Sequence, residues 1–239
     1  MVGSDTHAPD PARRTPVTDD VRQPEAVFWD MDGTLLDTEP LWERVLVEFA
    51  ERLDIEMTAS LRDSTMGNSA VDAMTKVYDA ALVPESGRDF ETDEAWMVQR
   101  VLELFTDGAP WRPGALDALD LVAEAEIPMV LVTNTLREVT DVLLETIGGE
   151  RFVTTVCGDE VEAGKPEPHI YRRAAEFVGA PIGRCLAIED SPTGAAATFA
   201  AGVRAIIVPS AIAVPPRPTY TFRDSLVGLT LDDLTAALV

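Results

Sequence analysis

The sequence predicts a Rossmann-like, doubly wound α/β fold with a mainly parallel sheet, interrupted after its first strand by an inserted α-helical segment. Short apolar runs alternate with amphipathic helical patterns from residue 109 onward, which is typical of parallel strands covered by helices on both faces. Residues 38–108 show helical patterns only, and the Pro- and Gly-rich stretch 108–114 closes them. We therefore expect an α/β core domain formed by 25–37 and 109–239, a helical domain at 38–108, and a disordered polar tail at 1–24.

Apolar runs and helical periodicity give the individual elements. The predicted strands are 26–30, 129–133, 152–157, 185–189 and 204–208. The predicted helices are one that runs from Thr38 to about Leu53, then 69–82, 92–106, 115–125, 136–147, 168–178, 192–201 and 231–238. Thr38 and Ser191 stand where helix N-caps are expected, and each is followed by a proline at or near the first helical position.

Composition and charge exclude several classes of function. The 239-residue chain carries a formal charge of -23, which argues against nucleic acid or an anionic membrane as a partner. No run of about 18 uncharged apolar residues suggests a membrane span, and the start has no signal-peptide core. Cys157 and Cys185 lie in or beside apolar runs, so we expect buried free thiols, which suit a reducing cytoplasm. The chain is thus expected to be a cytoplasmic protein.

Asp30 and Asp32 form the first candidate site. They follow the apolar run 26–29 and precede Gly-Thr, and side chains two residues apart on a strand point to the same side. Ligands of open α/β sheets bind at this carboxyl end of the strands. Two neighbouring carboxylates repel each other, and Mg²⁺ is a natural counterion because it prefers oxygen ligands. A solvated Asp-rich turn is the alternative interpretation.

Three later segments carry polar residues suited to phosphate chemistry. Thr133 and Asn134 follow the strand 129–133 and offer hydrogen-bond donors, although they would also serve as a helix cap. Lys165 lies between Gly164 and Pro166, and it is one of only two lysines in an arginine-rich chain, which counts against an ordinary surface lysine. Asp190 follows the strand 185–189 and could complete a metal site, with Glu189 beside it.

The order of these four motifs resembles the haloacid dehalogenase-like superfamily, and the helical insert is similar to that family's helical cap. The segment 37–44, Asp-Thr-Glu-Pro-Leu-Trp-Glu-Arg, is similar to the bacterial sugar-phosphate phosphatases, such as 2-deoxyglucose-6-phosphatase, and to the β-phosphoglucomutase branch. The resemblance implies a Mg²⁺-dependent phosphatase of small phosphomonoesters, with sugar phosphates as expected substrates and an aspartyl-phosphate intermediate.

The resemblance also implies a role for each site residue. Asp30 would be the nucleophile, and Asp32 the general acid and base. The metal would bind the Asp30 carboxylate, the Asp32 backbone carbonyl and Asp190. Phosphoryl oxygens would be bound by Thr133, Asn134 and Lys165.

Two positions of the helical segment differ from the mutase branch. Trp42 stands where mutases have a histidine, and Ala70 stands where they have an arginine. Both differences favour a phosphatase over a phosphosugar mutase, which remains the alternative. Lys76 is the only lysine of the helical segment and lies within a helical pattern, which disfavours a Schiff-base hydrolase of phosphonates. A non-catalytic protein that binds a phosphorylated metabolite is the third hypothesis, since a fold does not fix a function.

Overall fold

One parallel sheet forms the centre of the protein. In the computed structural model, which describes residues 23–65, 68–105, 109–210 and 212–239, the sheet contains six strands. They are β1 (Ala26–Trp29), β2 (Met129–Val132), β3 (Thr154–Val156), β4 (Cys185–Glu189), β5 (Arg204–Ile207) and β6 (Tyr220–Phe222). Their order is β3-β2-β1-β4-β5-β6, and every pairing is parallel. The predicted Rossmann-like α/β fold is therefore confirmed.

The helices of the described residues fall into two sets. Between β1 and β2 come α1 (Glu39–Arg52), α2 (Ala59–Thr65), α3 (Ala70–Ala80), α4 (Phe90–Leu104) and α5 (Ala115–Glu124). Later helices alternate with strands, namely α6 (Arg137–Ile147), α7 (His169–Val178), α8 (Pro192–Ala201) and α9 (Leu231–Ala236). Ser191 caps α8 as predicted, because its hydroxyl accepts a hydrogen bond from the Gly194 backbone N–H at 3.0 Å.

Alternate residues of the strands pack into two separate cores. On β1, Val27 and Trp29 belong to one core, which α5 and α6 share with the helices α1, α3 and α4. Phe28 points to the opposite face and packs with residues of α7 and α8, including Tyr171. Because both faces are covered, the central strands are apolar throughout, and polar residues begin only where the strands end.

The order of the strands changes direction between β1 and β4, which lie side by side at the centre of the sheet. From β1 the chain proceeds outward to β2 and β3, and it then returns to place β4, β5 and β6 on the other side. Open α/β sheets bind ligands in the crevice at such a switch point, beyond the carboxyl ends of the strands. Asp30 follows β1 and Asp190 follows β4, so both residues lie at this crevice.

Two short elements were not predicted from the sequence. The helix α2 has a mainly polar sequence, Ala-Ser-Leu-Arg-Asp-Ser-Thr, without an apolar period, and β6 has three residues at the sheet edge. Both depend on neighbours, since α2 packs on α3 and β6 pairs with β5. Elsewhere the predicted elements are present, and most of their ends agree with the observed ones within a few residues.

Other sequence expectations have different outcomes. Cys157 and Cys185 are buried free cysteines, as predicted. The predicted disordered tail at 1–24 lies outside the described residues except for Gln23 and Pro24. Within the described ranges, no strand lies between 38 and 108, and no helix has the length and apolar character needed to cross a bilayer. The division into an α/β core domain and a helical domain at 38–108 stays a prediction.

The close approach of two segments at Gly114 gives a testable prediction about stability. Gly114 has φ +80°, and a Cβ atom there would lie 2.3 Å from the backbone nitrogen of Val227. Gly202 has φ +81°, but a Cβ atom there would have no neighbour within 4 Å. Alanine at either position incurs left-handed strain of about 1–2 kcal/mol, and overpacking at Gly114 adds about 1–3 kcal/mol.

We therefore expect Gly114→Ala to lower the free energy of unfolding by more than the matched control Gly202→Ala does. Urea denaturation of both variants and of the unaltered protein measures the difference. Equal losses in the two variants would show that the contact between Gly114 and the Leu226–Val227 backbone does not constrain the fold.

Candidate active site

The ends of three neighbouring strands bring the predicted site residues together. β1 lies between β2 and β4, so Asp30 lies between Thr133, which follows β2, and Asp190, which follows β4. These residues line one cavity of about 860 Å³ together with Asp32, Asn134 and Lys165. Each of the site residues predicted from the sequence thus lies at the same cavity.

Lys165 connects two of the strand ends through its ammonium group. Its Nζ lies 2.5 Å from the Asp30 Oδ1 atom and 2.6 Å from the Glu189 Oε1 atom. The lysine side chain is 4% exposed, and Glu189 is completely buried. A buried charge of this kind needs a partner, because removal from water is otherwise costly. Lys165 is therefore an internal residue of the site, as its isolation among arginines indicated.

Burial and neighbouring charges shift the pKa values of this group. Burial, together with the charge of Glu189, raises the pKa of Asp30 to about 7, although Lys165 opposes the shift. Burial also raises the pKa of Asp190 well above its usual range, and the charges of Asp30 and Glu189 act in the same direction. Burial alone would lower the pKa of Lys165, but the charges of Asp30 and Glu189 outweigh it and raise that pKa.

The acidic residues of the site form a cluster suited to a hard cation. Oxygen atoms of Asp30, Glu189 and Asp190 lie within 4.8 Å of one another, and all three residues are buried. The Glu189 Oε2 atom is buried without a hydrogen-bond partner, whereas its Oε1 atom accepts from the Tyr171 hydroxyl group. The Lys165 ammonium group contacts only two of these three buried carboxylates, so an oxygen-preferring divalent cation fits both the charge and the donor set.

The backbone after β1 leaves room for this acidic cluster. Gly33 has φ +81°, and a Cβ atom there would lie 2.2 Å from the Asp190 Oδ2 atom. That oxygen also accepts a hydrogen bond from the Ser210 hydroxyl group. Any larger residue at Gly33 would displace Asp190, so Gly33 is required both for the turn and for the acid that faces it.

Four donors hold Asp32 beside this cluster. Its Oδ1 atom accepts from the Thr38 hydroxyl group at 2.6 Å and from the Trp42 indole nitrogen at 3.3 Å. Its Oδ2 atom accepts from the hydroxyl groups of Thr133 at 3.1 Å and Thr135 at 2.7 Å. Two of these donors come from α1 and its N-cap, two come from the end of β2, and all four bind the same carboxylate.

The contact of Thr38 corrects one expectation from the sequence. Thr38 does stand at the N-cap of α1, but its side chain makes no capping hydrogen bond and donates to Asp32 instead. A nearby carboxylate accepts the hydroxyl proton across the intervening loop, and the pattern Thr-Glu-Pro gives no sign of that contact. Trp42 differs from the histidine of the mutase pattern, but the sequence does not predict its hydrogen bond to Asp32.

Asn134 contacts the segment that carries Lys165. Its amide nitrogen donates to the Lys165 carbonyl oxygen at 3.0 Å, and its side-chain oxygen accepts from the Lys165 N–H group at 2.7 Å. These two bonds join the loop after β2 to the loop before α7 and fix the lysine backbone. In this structure the Asn134 side chain therefore fixes the backbone of Lys165. Binding of phosphate by Asn134 stays a prediction.

The arrangement provides the parts needed for transfer of a phosphoryl group. Asp30 is a buried carboxylate that receives hydrogen bonds from Lys165 and, at 2.7 Å, from the Thr34 hydroxyl group. Asp32 lies two residues away and lines the same cavity. The cavity is large enough for a small organic ester, since ligand pockets commonly measure about 300–1,000 Å³.

Comparison with known proteins supports this assignment. The sequence profile of the haloacid dehalogenase-like hydrolases matches residues 24–202. Phosphorylated carbohydrates phosphatase of Thermotoga maritima is 31% identical over 183 residues, which cover 76% of this chain and 83% of that protein. Hexitol phosphatase B of Escherichia coli K12 is 30% identical over 220 residues, which cover 89% and 97%.

A solved crystal structure has the same fold over most of the length of both chains. The crystal structure of CbbY from Rhodobacter sphaeroides in complex with phosphate superposes with a TM-score of 0.75 at 26% sequence identity. The match covers 88% of this chain and 99% of that protein. The chain belongs to the haloacid dehalogenase-like hydrolase family, and it is an enzyme of the phosphatase type within that family.

Proposed function

We propose that the protein is a Mg²⁺-dependent phosphatase that hydrolyses small phosphomonoesters, in particular sugar phosphates, through an aspartyl-phosphate on Asp30. The observation that carries the proposal is the meeting of Asp30, Lys165 and Asp190 at one cavity, with Asp32 beside them. Two relatives are named as phosphatases of phosphorylated carbohydrates and of hexitols, which favours a phosphorylated sugar or sugar alcohol. We place this activity in the cytoplasm, where the free thiols would stay reduced.

Asp30 is the proposed nucleophile. Its carboxylate oxygen attacks phosphorus, the bond from phosphorus to the ester oxygen breaks, and an acyl phosphate forms on the aspartate. Covalent catalysis of this kind divides one difficult step into two easier ones. Lys165 and Thr34 hold the Asp30 carboxylate in place through hydrogen bonds to its two oxygen atoms.

Asp32 is the proposed general acid and base. It donates a proton to the departing alcohol oxygen, and it then accepts a proton from the water that attacks phosphorus. The bond from phosphorus to the Asp30 oxygen breaks in that second step, which releases inorganic phosphate and restores the carboxylate. The hydroxyl groups of Thr38 and Thr135 orient its two carboxylate oxygens. A positioned acid or base of this kind contributes about 10²–10⁴-fold in rate.

The phosphoryl oxygens would be bound at the ends of β2 and of the Lys165 loop. Lys165 supplies a buried positive charge directly beside Asp30, and Thr133 lies at the neighbouring strand end, where its hydroxyl group would turn from the Asp32 Oδ2 atom to the phosphoryl group. Asn134 would donate through its backbone N–H group, because its side chain already binds the Lys165 backbone. Fixed charges and dipoles in such a site contribute most of the stabilisation in phosphoryl transfer.

The proposed cation site comprises the carboxylates of Asp30 and Asp190 and the backbone carbonyl of Asp32. Glu189 joins this set because its Oε2 atom is buried without a hydrogen-bond partner. When bound, Mg²⁺ supplies positive charge that offsets the negative charge of the phosphoryl oxygens. Lys165 alone cannot balance the neighbouring carboxylates, which is why the proposal includes a cation.

The first experiment measures phosphate release from a panel of sugar phosphates and other small phosphomonoesters, with and without Mg²⁺. We expect Mg²⁺-dependent release that Asp30→Asn abolishes, because the amide is a poor nucleophile. Asp32→Asn should lower the rate by about 10²–10⁴-fold, because the amide cannot exchange the proton. The exposed Asp54→Asn is the matched control and should retain full activity.

Retained activity in folded Asp30→Asn protein would overturn the proposal. Isomerisation of β-glucose 1-phosphate without free phosphate, followed by NMR, would identify a phosphosugar mutase instead. Tight binding of phosphosugars without turnover would identify a non-catalytic binding protein.

The raised pKa values of Asp30 and Asp190 predict how pH and metal affect stability. A carboxyl group whose pKa is higher in the folded state keeps its proton there after the unfolded chain has lost it. In metal-free protein, the unfolding free energy should therefore fall as the pH rises from about 4, the ordinary value, to about 7, the pKa of Asp30.

Added Mg²⁺ should reverse this loss, because the cation binds ionised carboxylates and stabilises the folded state. Thermal unfolding should show a larger Mg²⁺-induced rise in Tm at about pH 7.5 than at about pH 5, since protons compete with the metal at low pH. Asp190→Asn should abolish the rise, and Asp54→Asn should not. An equal rise at both pH values would contradict a site made of these buried acids.

A further inference from the structure

The cavity extends well beyond the catalytic residues. One wall, which we call the helical wall, is formed by residues of α1 and α2, by Asn68 and Ser69, and by the start of α3. A phosphate group occupies only part of a volume of about 860 Å³, so the helical wall faces the remainder of a bound ester. The residues of this wall therefore decide which esters the site accepts, according to the organic group that carries the phosphate. We call that organic group the body of the ester.

The charge of the helical wall is negative. Among its described residues, Arg62 is the cation, and Glu39, Glu43 and Asp63 are the anions. The Arg62 Nη1 atom lies 2.9 Å from the Glu43 Oε1 atom, and its Nε atom lies 3.8 Å from the Asp63 Oδ1 atom. Glu43 and Asp63 thus balance the guanidinium charge, and Glu39 adds a further carboxylate to the wall.

The neutral polar residues of the wall already donate to other protein groups. Thr65 donates its hydroxyl proton to the Arg62 carbonyl oxygen at 2.8 Å, and the Asn68 amide nitrogen donates to the Ser64 carbonyl oxygen at 2.7 Å. Ser69 donates to the Asp72 carboxylate at 2.9 Å. The hydroxyl groups of Thr65 and Ser69 therefore retain acceptor capacity only, and Asn68 retains one N–H group and its side-chain oxygen. The carboxylates of Glu43 and Asp63 add further acceptors.

An acceptor-rich, negatively charged wall favours one class of ester body. Hydroxyl groups of a ligand can donate to carboxylate and amide oxygens. A second phosphate or a carboxylate can only accept when ionised, and it would face like charge without a free cation. Glu43 has the decisive position, since it is the acid closest to the single arginine of the described wall.

We propose that the enzyme selects monophosphate esters with an uncharged, hydroxyl-bearing body and disfavours esters with a second anionic group, and that Glu43 sets this selectivity by pairing with Arg62. This inference rests on the proposed phosphatase function and specifies its substrate class. It also assigns a role in substrate selection to an ion pair that lies outside the catalytic centre.

Two esters that differ by one phosphate test the proposal. Binding of glucose 6-phosphate and of glucose 1,6-bisphosphate to Asp30→Asn protein with Mg²⁺ is measured by calorimetry, which reports affinity without turnover. We expect the bisphosphate to bind at least about tenfold more weakly, because its second phosphate meets the negative helical wall. Wild-type kcat/KM values for the two esters should show the same order.

The variant Glu43→Gln isolates the role of the ion pair. It removes one negative charge and frees Arg62, so the affinity ratio of bisphosphate to monophosphate should rise about tenfold. Adding Arg62→Gln should cancel that gain, as expected for a coupled pair. Glu48→Gln is the matched control on the same helix, because Glu48 pairs with Arg100 at 2.6 Å outside the cavity and should leave the ratio unchanged.

The proposal is overturned if the bisphosphate binds as tightly as the monophosphate, if neither ester binds, or if Glu43→Gln leaves the ratio unchanged. Failure of the proposed function gives a different result. Selective binding without any phosphate release by the wild-type protein would reject the phosphatase and retain this selectivity. Phosphate release without discrimination between the esters would reject this inference alone.

Discussion

The site depends on one buried ammonium group that neutralises carboxylates from two neighbouring strands. Lys165 contacts Asp30 after β1 and Glu189 at the end of β4, and all three side chains are buried. Removal of one partner from such a group typically costs about 3–5 kcal/mol, because a buried charge loses its counterion. The loop that carries Lys165 must therefore be held accurately, and the two hydrogen bonds from Asn134 to its backbone do this.

The same interaction underlies the proposal of a bound cation. Asp30, Glu189 and Asp190 bring three carboxylates into a volume where one ammonium group is present. Burial raises the pKa values of Asp30 and Asp190, the surplus negative charge acts in the same direction, and the Glu189 Oε2 atom has no hydrogen-bond partner. A protein without a use for this arrangement would gain stability by replacing an acid, so the surplus is best explained by a ligand that carries positive charge. The buried carboxylates that would bind a cation are therefore the same groups that destabilise the site in its absence.

The floor of the cavity is formed by Asp30, Thr133, Lys165 and Asp190. Each motif alone left a second interpretation open, and the order of the four motifs along the chain favoured a common site. Asp30, Thr133 and Asp190 follow fully buried apolar strands, and parallel strands place their carboxyl ends at one edge. Lys165 was selected from its rarity in the chain. None of these inferences requires knowledge of how distant segments contact one another.

Contacts between segments were the part that could not be predicted. The Thr38 hydroxyl group has two possible partners, the N-terminal amides of α1 and the Asp32 carboxylate, and only the folded loop decides between them. Asn134 fits a helix cap, a phosphate ligand or a support for Lys165 equally well from its position in the sequence. The α2 helix is stabilised by contact with α3 rather than by its own periodicity, so it also had no local signal.

The floor and the helical wall of the cavity have opposite electrostatic roles, and this difference would orient a bound ester. Lys165 and a cation would attract a phosphate to the floor, whereas the carboxylates of Glu43 and Asp63 would disfavour an anion at the wall. An ester with a single phosphate then has one favourable orientation, with phosphorus near Asp30 and hydroxyl groups toward the acceptors. An ester with two phosphates must place one of them against like charge in either orientation. The ion pair between Arg62 and Glu43 contributes little to stability, since both side chains are about half exposed, and its effect falls instead on the choice of substrate.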